Sequence, residues 1–388
     1  MTRNFAIRTI TAGVDIKNLC DIEKLHHAIR FLKNAREKFQ EGGYDVQTIR
    51  IATPHFHLLS NGLTHSEIKT RLVEIDKLTH EDHIFFSIGE LCKPGVYDKK
   101  YVELAQEIIA QTKNIHFSIR ISEFEKGVNY SSIQLAAEII SVIARSTPGG
   151  EGNFRFAAAA NCQPHIPFFP VAYHEGVPGF AIGVESPNIL LEGIVSDDWE
   201  ENKISLKKAL NEALIPVEKI CGKISSETGL DFFGIDTSTA PGLSASIGAV
   251  IERLTGHPFG HSSTLAACSL ITDVIKHFGV RTCGYSGLML PVLEDKVLAQ
   301  RAKENSFTMN ELLMYSAVSG TGLDVVPIPG STTVGQLQRI LLDVAALSIK
   351  YISKAMSARL FLIPGKEAGD EVSFENPYLT DCKVMEVK

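Results

Sequence analysis

The first 150 residues repeat one pattern about four times, a short apolar strand followed by an amphipathic helix. The strand-like runs are residues 5–12, 46–53, 83–91 and 115–121, and each is followed by leucines and isoleucines at helical spacing. Strands joined by helices run parallel, because the crossover helix returns the chain to the edge of the sheet where the previous strand began. This pattern predicts an α/β fold built on a largely parallel sheet.

The second part of the chain is less regular. It contains strand patterns at 154–160, 180–184, 323–328, 357–364 and 383–387, and long helical patterns at 203–227 and from 333 to about 355. We count about ten strands and about as many helices, with no convincing linker between them. Although 388 residues would allow two or three domains, α/β barrels exceed the usual domain size. We therefore expect one α/β barrel domain over residues 1–388, with halves of roughly 1–150 and 151–388 and helices outside.

Composition excludes several classes of protein. The net charge of −7 and the lack of long Lys and Arg clusters argue against a nucleic-acid partner. No run approaches the ~18 apolar residues of a membrane span, and the N-terminus is too polar for a signal peptide. The seven cysteines form no CxxC pair, so neither a disulfide framework nor a zinc ribbon is indicated. A cytoplasmic protein fits these features best.

Polar residues follow most of the predicted strands. In parallel α/β folds the loops after the carboxyl ends of the strands build the site. We therefore expect the polar residues at these ends to lie together in one pocket. The candidates at the later strands are Asn161, Glu185, Asp236 with Ser238, Ser286 with Gly287, and Asp324.

The densest polar stretch is residues 232–264, FFGIDTSTAPGLSASIGAVIERLTGHPFGHSST. Asp236 and Ser238 follow an apolar strand, and a helix is predicted to begin near Ser244. The free amides of a helix start can bind an anion without a basic side chain. The simpler interpretation is that Ser244 caps the helix and Asp236 holds the turn.

A second stretch joins Asn161 and Cys162 to His174 and Glu175. His174 could be a general base or a metal ligand, because imidazole titrates near neutral pH, although a loop histidine is more often only solvated. Cys162 is a nucleophile only if a neighbouring base lowers its pKa, and buried unreactive cysteine is the commoner case. The Gly and hydroxyl turns at 319–322 and 329–333 match no nucleotide-binding pattern, so the cofactor is unknown.

Five separated motifs resemble one family. They are FAIRTITAGVDI, GIDTSTAPGLSASIGAVIERL, CGYSGLMLPVLED, SGTGLDVVPIPGSTT and ARLFLIPGKEAGDEVSF. They occur in an order similar to that of the uncharacterised domain of unknown function 711 family, also called uncharacterised protein family 0210, and the similarity covers nearly the whole chain. On this resemblance, the family's motif residues fall on Asp236, Ser238, Ser286, Gly287 and Asp324.

The resemblance implies a fold like that of pyruvate formate-lyase, an α/β barrel of about ten strands. It does not imply that enzyme's chemistry. Glycyl radical enzymes carry an Arg-Val-x-Gly-aromatic signature near the C-terminus, whereas the late glycines here lie in PGKEAGD at 364–370. The family itself brings no established reaction, and a fold alone does not supply one.

The sequence leads to one principal hypothesis and two alternatives. The principal one is a non-radical enzyme acting on a small anionic metabolite, with Asp236, His174 and Glu185 as catalytic groups. The anion is then held by Asn161, Ser238, Ser244, Ser286, Gly287 and Asp324. The alternatives are a metal-dependent hydrolase using His174, Glu175, Glu185, Asp236 or His261, and a non-catalytic metabolite-binding or assembly protein. The apolar faces of the long helices also suggest a homo-oligomer.

Overall fold

A computed structural model describes residues 4–242, 245–277, 279–350 and 354–388. It confirms the predicted mixed α/β class. Within these residues, ten strands form one mostly parallel sheet, and two short strands near the C-terminus form a separate hairpin. The strands are β1 Ile7–Gly13, β2 Val46–Ala52, β3 Ile84–Glu90, β4 Ile115–Glu123, β5 Gly127–Val128, β6 Phe156–Ala160, β7 Gly179–Val184, β8 Asp231–Asp236, β9 Gly322–Pro329, β10 Met356–Ile363, β11 Glu371–Val372 and β12 Cys382–Lys383.

Twelve α-helices connect and cover these strands in the described part of the chain. A 3-10 helix, Pro148–Arg155, leads into β6. The α-helices are α1 Ile22–Glu41, α2 Phe56–Leu59, α3 His65–His80, α4 Lys100–Gln111, α5 Tyr130–Ser146, α6 Pro187–Gly193, α7 Trp199–Thr228, α8 Ile247–Thr255, α9 Thr264–Lys276, α10 Lys296–Lys303, α11 Met309–Ser319 and α12 Val334–Ser348. None of the described helices is long and apolar enough to cross a membrane.

The direction of the strands changes twice across the sheet. The order is β8-β7-β1-β2-β3-β4-β6-β10-β9, with β5 paired to β4. The central strands β1, β2, β3, β4 and β6 run parallel. In contrast, β7 is antiparallel to β1 and β10 is antiparallel to β6. The carboxyl ends of β7 and β8 therefore lie at the opposite end of the sheet, along the strand direction, from those of the central strands. The expectation that all strand ends meet at one end of the sheet is wrong.

The sheet ladder ends at β8 on one side and at β9 on the other. One segment, residues 281–293, reaches both edge strands. Thr282 forms an isolated parallel bridge with Ile235 of β8, and Pro291 forms one with Asp324 of β9. Because these are single bridges, the described residues show no continuous ladder that closes a barrel.

The two faces of the sheet have different surroundings. On β6, Ala158 and Ala160 belong to the large apolar cluster that includes the covering helices. Ala157 and Ala159 point to the other face and belong to a separate cluster with Phe168 and others. This follows from the period of two along a strand. The second face is thus an inner face that is not filled by the covering helices.

The segment after β6 crosses this inner face. Thr11 Oγ1 of β1 donates a hydrogen bond to the Pro167 carbonyl oxygen at 2.8 Å, and Ser87 Oγ of β3 donates to the Ala172 carbonyl at 2.6 Å. Between these anchors, Phe168 and Phe169 are buried. The crossing segment leaves one part of the inner face unfilled, and this part forms the cavity described below.

Candidate functional site

A cavity beside the crossing segment is lined by side chains from both parts of the sheet. The cavity has a volume of about 60 Å³ and is partly open to solvent. The charged residues that line it are Arg8, Arg50, Glu294, Asp324 and Arg359, and the ring residues include Phe85, His116, Phe154, Phe168, Phe169, Tyr285 and Tyr378.

Two irregularities of the strands lie in the cavity wall. The pairing of β1 with β7 shifts between Ile7 and Thr9, which makes Arg8 a bulged residue. On β9, Asp324 and Val325 form a similar bulge opposite Arg359 of β10. Val325 has a φ of 43°, a region that β-branched residues rarely adopt. Bulges re-aim side chains and are common beside active sites, and here they occur at residues that line the cavity or adjoin it.

Two of the three cavity arginines are held by carboxylates. Arg8 donates to Gln47 Oε1 at 2.6 Å and to Glu294 Oε2 at 3.3 Å. Arg359 donates to Asp324 Oδ1 at 2.5 Å and to Glu294 Oε1 at 3.1 Å. Glu294 thus bridges the two guanidinium groups, and these four charges compensate one another.

Arg50 is the third cavity arginine, and its environment is different. It is 7% exposed, its Nε donates to Thr48 Oγ1 at 3.1 Å, and its guanidinium lies over the rings of Phe85 and Phe169. Among the described residues, no carboxylate is within ion-pairing distance of Arg50. Burial, with smaller effects from Arg8 and Arg359, lowers its pKa to about 9, and the charge of Glu294, beyond ion-pairing distance, opposes this shift. Arg50 therefore remains mostly charged at neutral pH.

His116 lies against the same two rings as Arg50. Its ring centroid is 5.3 Å from that of Phe85 and 5.2 Å from that of Phe169. Both ring nitrogens are buried and have no hydrogen-bond partner in the described part of the protein. Burial, together with the charges of Arg155 and Arg50, places the pKa of His116 well below its usual value. The imidazole is therefore neutral and can accept or donate a proton.

A hydroxyl group adds to the opposite wall. The Tyr285 hydroxyl donates to Ser357 Oγ at 3.0 Å, and both residues line the cavity. Cys162 lies 3.8 Å from the same hydroxyl oxygen. Burial raises the pKa of Cys162 to about 12, so it is a thiol rather than a nucleophilic thiolate at neutral pH.

Asp236 is fully buried at the end of β8, next to the cavity wall. Its Oδ1 accepts hydrogen bonds from Ser238 N, Ser238 Oγ and Ser286 N, and its Oδ2 accepts one from Tyr285 N at 2.8 Å. Burial raises the pKa of Asp236 to about 6, although these hydrogen bonds oppose the rise. We call Asp236, Ser238, Ser286 and Gly287 the Asp236 cluster.

The rest of the Asp236 cluster fixes the following loop. Ser238 Oγ accepts a hydrogen bond from Gly287 N at 3.1 Å, and Ser286 Oγ donates to the Cys283 carbonyl at 2.9 Å. Gly284 has a φ of 68°, and a Cβ atom there would lie 2.0 Å from Asp236 Oδ2. The cluster therefore positions Tyr285 at the cavity wall through bonds that lie within the protein.

Glu185 and Asp324 are the other predicted residues close to the cavity. Asp324 lines it directly as the partner of Arg359. Glu185 accepts a hydrogen bond from Gln47, which in turn accepts one from Arg8. Burial raises the pKa of Glu185. Glu185 is thus connected to the cavity through one intervening side chain.

His174 and Asn161 lie at the other edge of the sheet. The His174 amide donates to the Thr53 carbonyl after β2, and burial lowers the pKa of its ring to about 4. Asn161 follows β6, where its Oδ1 accepts from Phe124 N at 3.3 Å. The structure does not bring these residues together with Asp236, because β8 runs antiparallel to β1. Ser244 lies outside the described residues.

A second polar cluster surrounds Arg120 at this other edge. Arg120 donates to both Glu90 and Glu123, and His55 Nδ1 accepts from Glu90 N at 3.1 Å. Burial raises the pKa of Glu90 to about 7. Unlike Arg50, Arg120 has carboxylate partners. The described residues contain no group of three or more His, Cys, Asp or Glu side chains arranged to hold a metal.

Sequence analysis missed Arg8, Arg50, His116, Glu294 and Arg359. Four of them lie within strands and Glu294 lies in a loop, whereas the predicted candidates follow the carboxyl ends of strands. A signal was nevertheless present: polar residues alternate with apolar ones in TIRIA, IHFSIRISE and SARLFLI. On strands covered by helices, such alternation indicates that the second face is polar and surrounds a site.

Comparison with known proteins identifies the relatives of this chain. The profile of a family described as Uncharacterised ACR (DUF711) matches residues 1–375. The chain belongs to this family. The resemblance inferred from the five motifs is thereby confirmed.

Individual relatives give the same result for this DUF711 member. It is 26% identical to a UPF0210 protein of Halothermothrix orenii over 98% of this chain and 90% of that protein. It is 27% identical to one of Carboxydothermus hydrogenoformans over 96% and 88%. A UPF0210 protein of Pyrobaculum aerophilum is 30% identical over 70% of this chain, and the match spans 62% of that relative. These names state a family and no activity.

Proposed function

We propose that the protein is a non-radical enzyme that binds a small organic anion in the cavity and acts on it by proton transfer. The observation that carries the proposal is Arg50, a buried cation with no carboxylate partner among the described residues. An uncompensated buried charge costs several kcal/mol. A bound anion would compensate this charge. Anion binding would therefore explain why the empty protein keeps a buried cation that destabilises it.

The environment of Arg50 favours an anion over a simple solvent site. The Nε of Arg50 donates a hydrogen bond to Thr48, and the faces of Phe85 and Phe169 fix the plane of the guanidinium. The two terminal nitrogens are left to form the paired hydrogen bonds that match a carboxylate or phosphate. Arg50 therefore offers orientation as well as charge.

His116 supplies the group for proton transfer. It shares its two ring neighbours with Arg50, it is neutral, and neither ring nitrogen has a partner within the described part of the chain. A nearby negative charge raises the pKa of a histidine. We propose that anion binding brings the pKa of His116 toward neutrality, so that the imidazole becomes an effective base only when the substrate is present.

Other residues take supporting roles in this proposal. Asp236 acts as a positioning residue, since its bonds hold the loop that carries Tyr285. We also place the cavity inside a ten-stranded barrel of the pyruvate formate-lyase-like type. The antiparallel junctions on both sides of five parallel strands and the contacts of 281–293 with both edge strands support this placement. The cytoplasmic location and the homo-oligomer stay predictions.

The proposal is tested by calorimetric titration of the purified protein with small carboxylates and phosphate esters. We expect at least one to bind, and we expect Arg50→Gln to weaken that binding 100-fold or more. Arg30→Gln is the control, because Arg30 is an exposed arginine of α1 that does not line the cavity. Equal affinities of the wild type and Arg50→Gln for every anion would refute the site.

Turnover separates an enzyme from a binding protein. The bound anion is incubated with the protein and followed by NMR, including exchange of its carbon-bound protons with deuterated water. We expect consumption or exchange that His116→Gln abolishes while binding persists. Binding without either change in the wild type would instead support the non-catalytic metabolite-binding alternative.

A further inference from the structure

We infer that the ligand of the cavity is a monocarboxylate with an aromatic or branched apolar body. This inference rests on the proposed function, because it assumes that the anion binds at Arg50. It adds the charge of the ligand and the character of its uncharged part. Both follow from the groups that surround the cavity.

The charges of the cavity wall fix the charge of the ligand. Three guanidinium groups face two carboxylates, so one positive charge remains. The paired groups are already joined to one another through Glu294 and Asp324. Among the described residues that line the cavity, the one remaining cation is Arg50. A monoanion neutralises it, whereas a dianion would bring a second negative charge into a buried site that has no cation left for it.

The other titratable groups at the cavity do not change this balance. Burial places the pKa of His116 well below its usual value and that of Tyr285 well above, so both are neutral at pH 7. Glu185 is one side chain away, and it adds negative rather than positive charge. A second anionic group on the ligand would therefore be repelled on this side as well.

The uncharged walls fix the rest of the ligand. Phe85 and Phe169 flank Arg50, and Phe154, Phe168 and Met289 line the space beyond it. Apolar surface placed against these rings is removed from water and gains roughly 25 cal/mol per Å². A carboxylate with no apolar body gains none of this. The walls thus select an aromatic or branched apolar acid.

Titration with matched compounds tests the inference. Benzoate, isophthalate, phenyl phosphate and acetate differ in charge or in body while sharing an anionic group. We expect the wild-type protein to bind benzoate at least ten-fold more tightly than each of the other three. Tighter binding of isophthalate or phenyl phosphate, lost in Arg50→Gln, would overturn the monoanion while leaving the anion site intact. If no anion depends on Arg50, the proposed function itself fails.

Changing the charge of the wall gives an independent test. Glu294→Gln removes one negative charge and keeps an oxygen acceptor between Arg8 and Arg359. We expect it to lower the preference for benzoate over isophthalate at least ten-fold, because a second positive charge becomes available. Glu37→Gln, at an exposed position of α1, should leave the preference unchanged. Asp324→Asn makes the same charge change and serves if Glu294→Gln does not fold. An unchanged preference in the folded wall variant would contradict the charge argument.

Discussion

The Asp236 cluster and the Arg50 end of the cavity both contain buried polar groups, but their bonding differs. The Asp236 carboxylate accepts four hydrogen bonds from Ser238, Tyr285 and Ser286. The Arg50 guanidinium has one side-chain bond, to Thr48, and two aromatic faces. A polar group whose bonds all lie within the protein stabilises a loop, whereas one without partners indicates a ligand. We therefore expect the Asp236 cluster, which is the richer sequence motif, to have a structural role.

The same physical effect shifts the pKa of both groups. Burial raises the pKa of Asp236 to about 6 and lowers that of Arg50 to about 9. In each case the charged form is disfavoured by loss of water. Around Asp236, four donors offset part of this cost. For Arg50, the nearby Arg8 and Arg359 add to the cost, and Glu294 offsets part of it from beyond ion-pairing distance. Both groups are buried, and they differ in how far neighbouring groups stabilise the charged form.

The largest expected effect compares two arginines of the same cavity. Arg359→Met leaves the buried Asp324 without its guanidinium partner, and we expect a loss of about 3–5 kcal/mol in the free energy of unfolding. Arg50→Met removes a charge that has no carboxylate partner among the described residues, so we expect a gain of about 1 kcal/mol in the empty protein. Urea unfolding of both variants measures the difference.

These two arginine variants also test whether Arg50 lacks compensating contacts in solution. Equal destabilisation by Arg359→Met and Arg50→Met would mean that Arg50 has compensating contacts in solution. The distinction between a structural and a ligand-binding arginine would then disappear.

The second prediction concerns Asp236. In Asp236→Asn, an amide group replaces an oxygen that accepts from a backbone N–H, so at least one donor loses its acceptor. We expect about 2–3 kcal/mol of destabilisation, measured by urea unfolding. Asp231→Asn is the control, since Asp231 is exposed on the same strand. A fully stable Asp236→Asn that lacks turnover would return Asp236 to the catalytic role expected from the sequence.

The smallest effect is a change in the pH dependence of stability. His116 has a folded pKa well below the usual ~6.5, so unfolding takes up a proton below that pH. Its contribution is complete above pH ~6.5 and is lost as the pH falls, at about 1.4 kcal/mol per pH unit. His116→Phe should reduce the slope between pH 4 and 6 by this amount in urea titrations. The same slope in both proteins would show that His116 is protonated in the folded state.

Other buried groups set the background for that titration. The pKa values of His174, about 4, and His55, about 3, are also lowered by burial and give slopes of the same sign. The raised pKa of Asp236 acts in the opposite direction between pH ~4 and 6, because the folded form retains its proton longer. Comparison of the wild type with His116→Phe at each pH removes these contributions, because both proteins share them.

Much of the secondary structure could be predicted from the sequence because it depends on local pattern. The strand predicted at 46–53 is β2 Val46–Ala52, and the helix predicted at 203–227 lies within α7 Trp199–Thr228. The strand predicted near the C-terminus is reduced to β12 Cys382–Lys383. The helix predicted from 333 to 355 ends at Ser348 among the described residues, and residues 351–353 lie outside them.

The candidate site was predicted less well, because it depends on the direction of strands. Asp324 lies in the cavity wall, and the Asp236 cluster is adjacent to it. His174 was expected beside Asp236 since both follow strands, but the antiparallel pairing of β7 with β1 places them at opposite edges. The direction of a strand cannot be predicted from the residues that precede it, because the direction depends on the strands that pair with it in the folded sheet.

The sequence by itself determined the α/β class, the family and the alternation of polar and apolar residues along β2, β4 and β10. These properties are local or are carried by motifs. Only the tertiary structure decided that Arg8 and Arg359 share Glu294 while Arg50 has no such partner in the part of the chain that is described. The reason is that compensation of a buried charge depends on residues hundreds of positions apart, and their distances are set by the sheet.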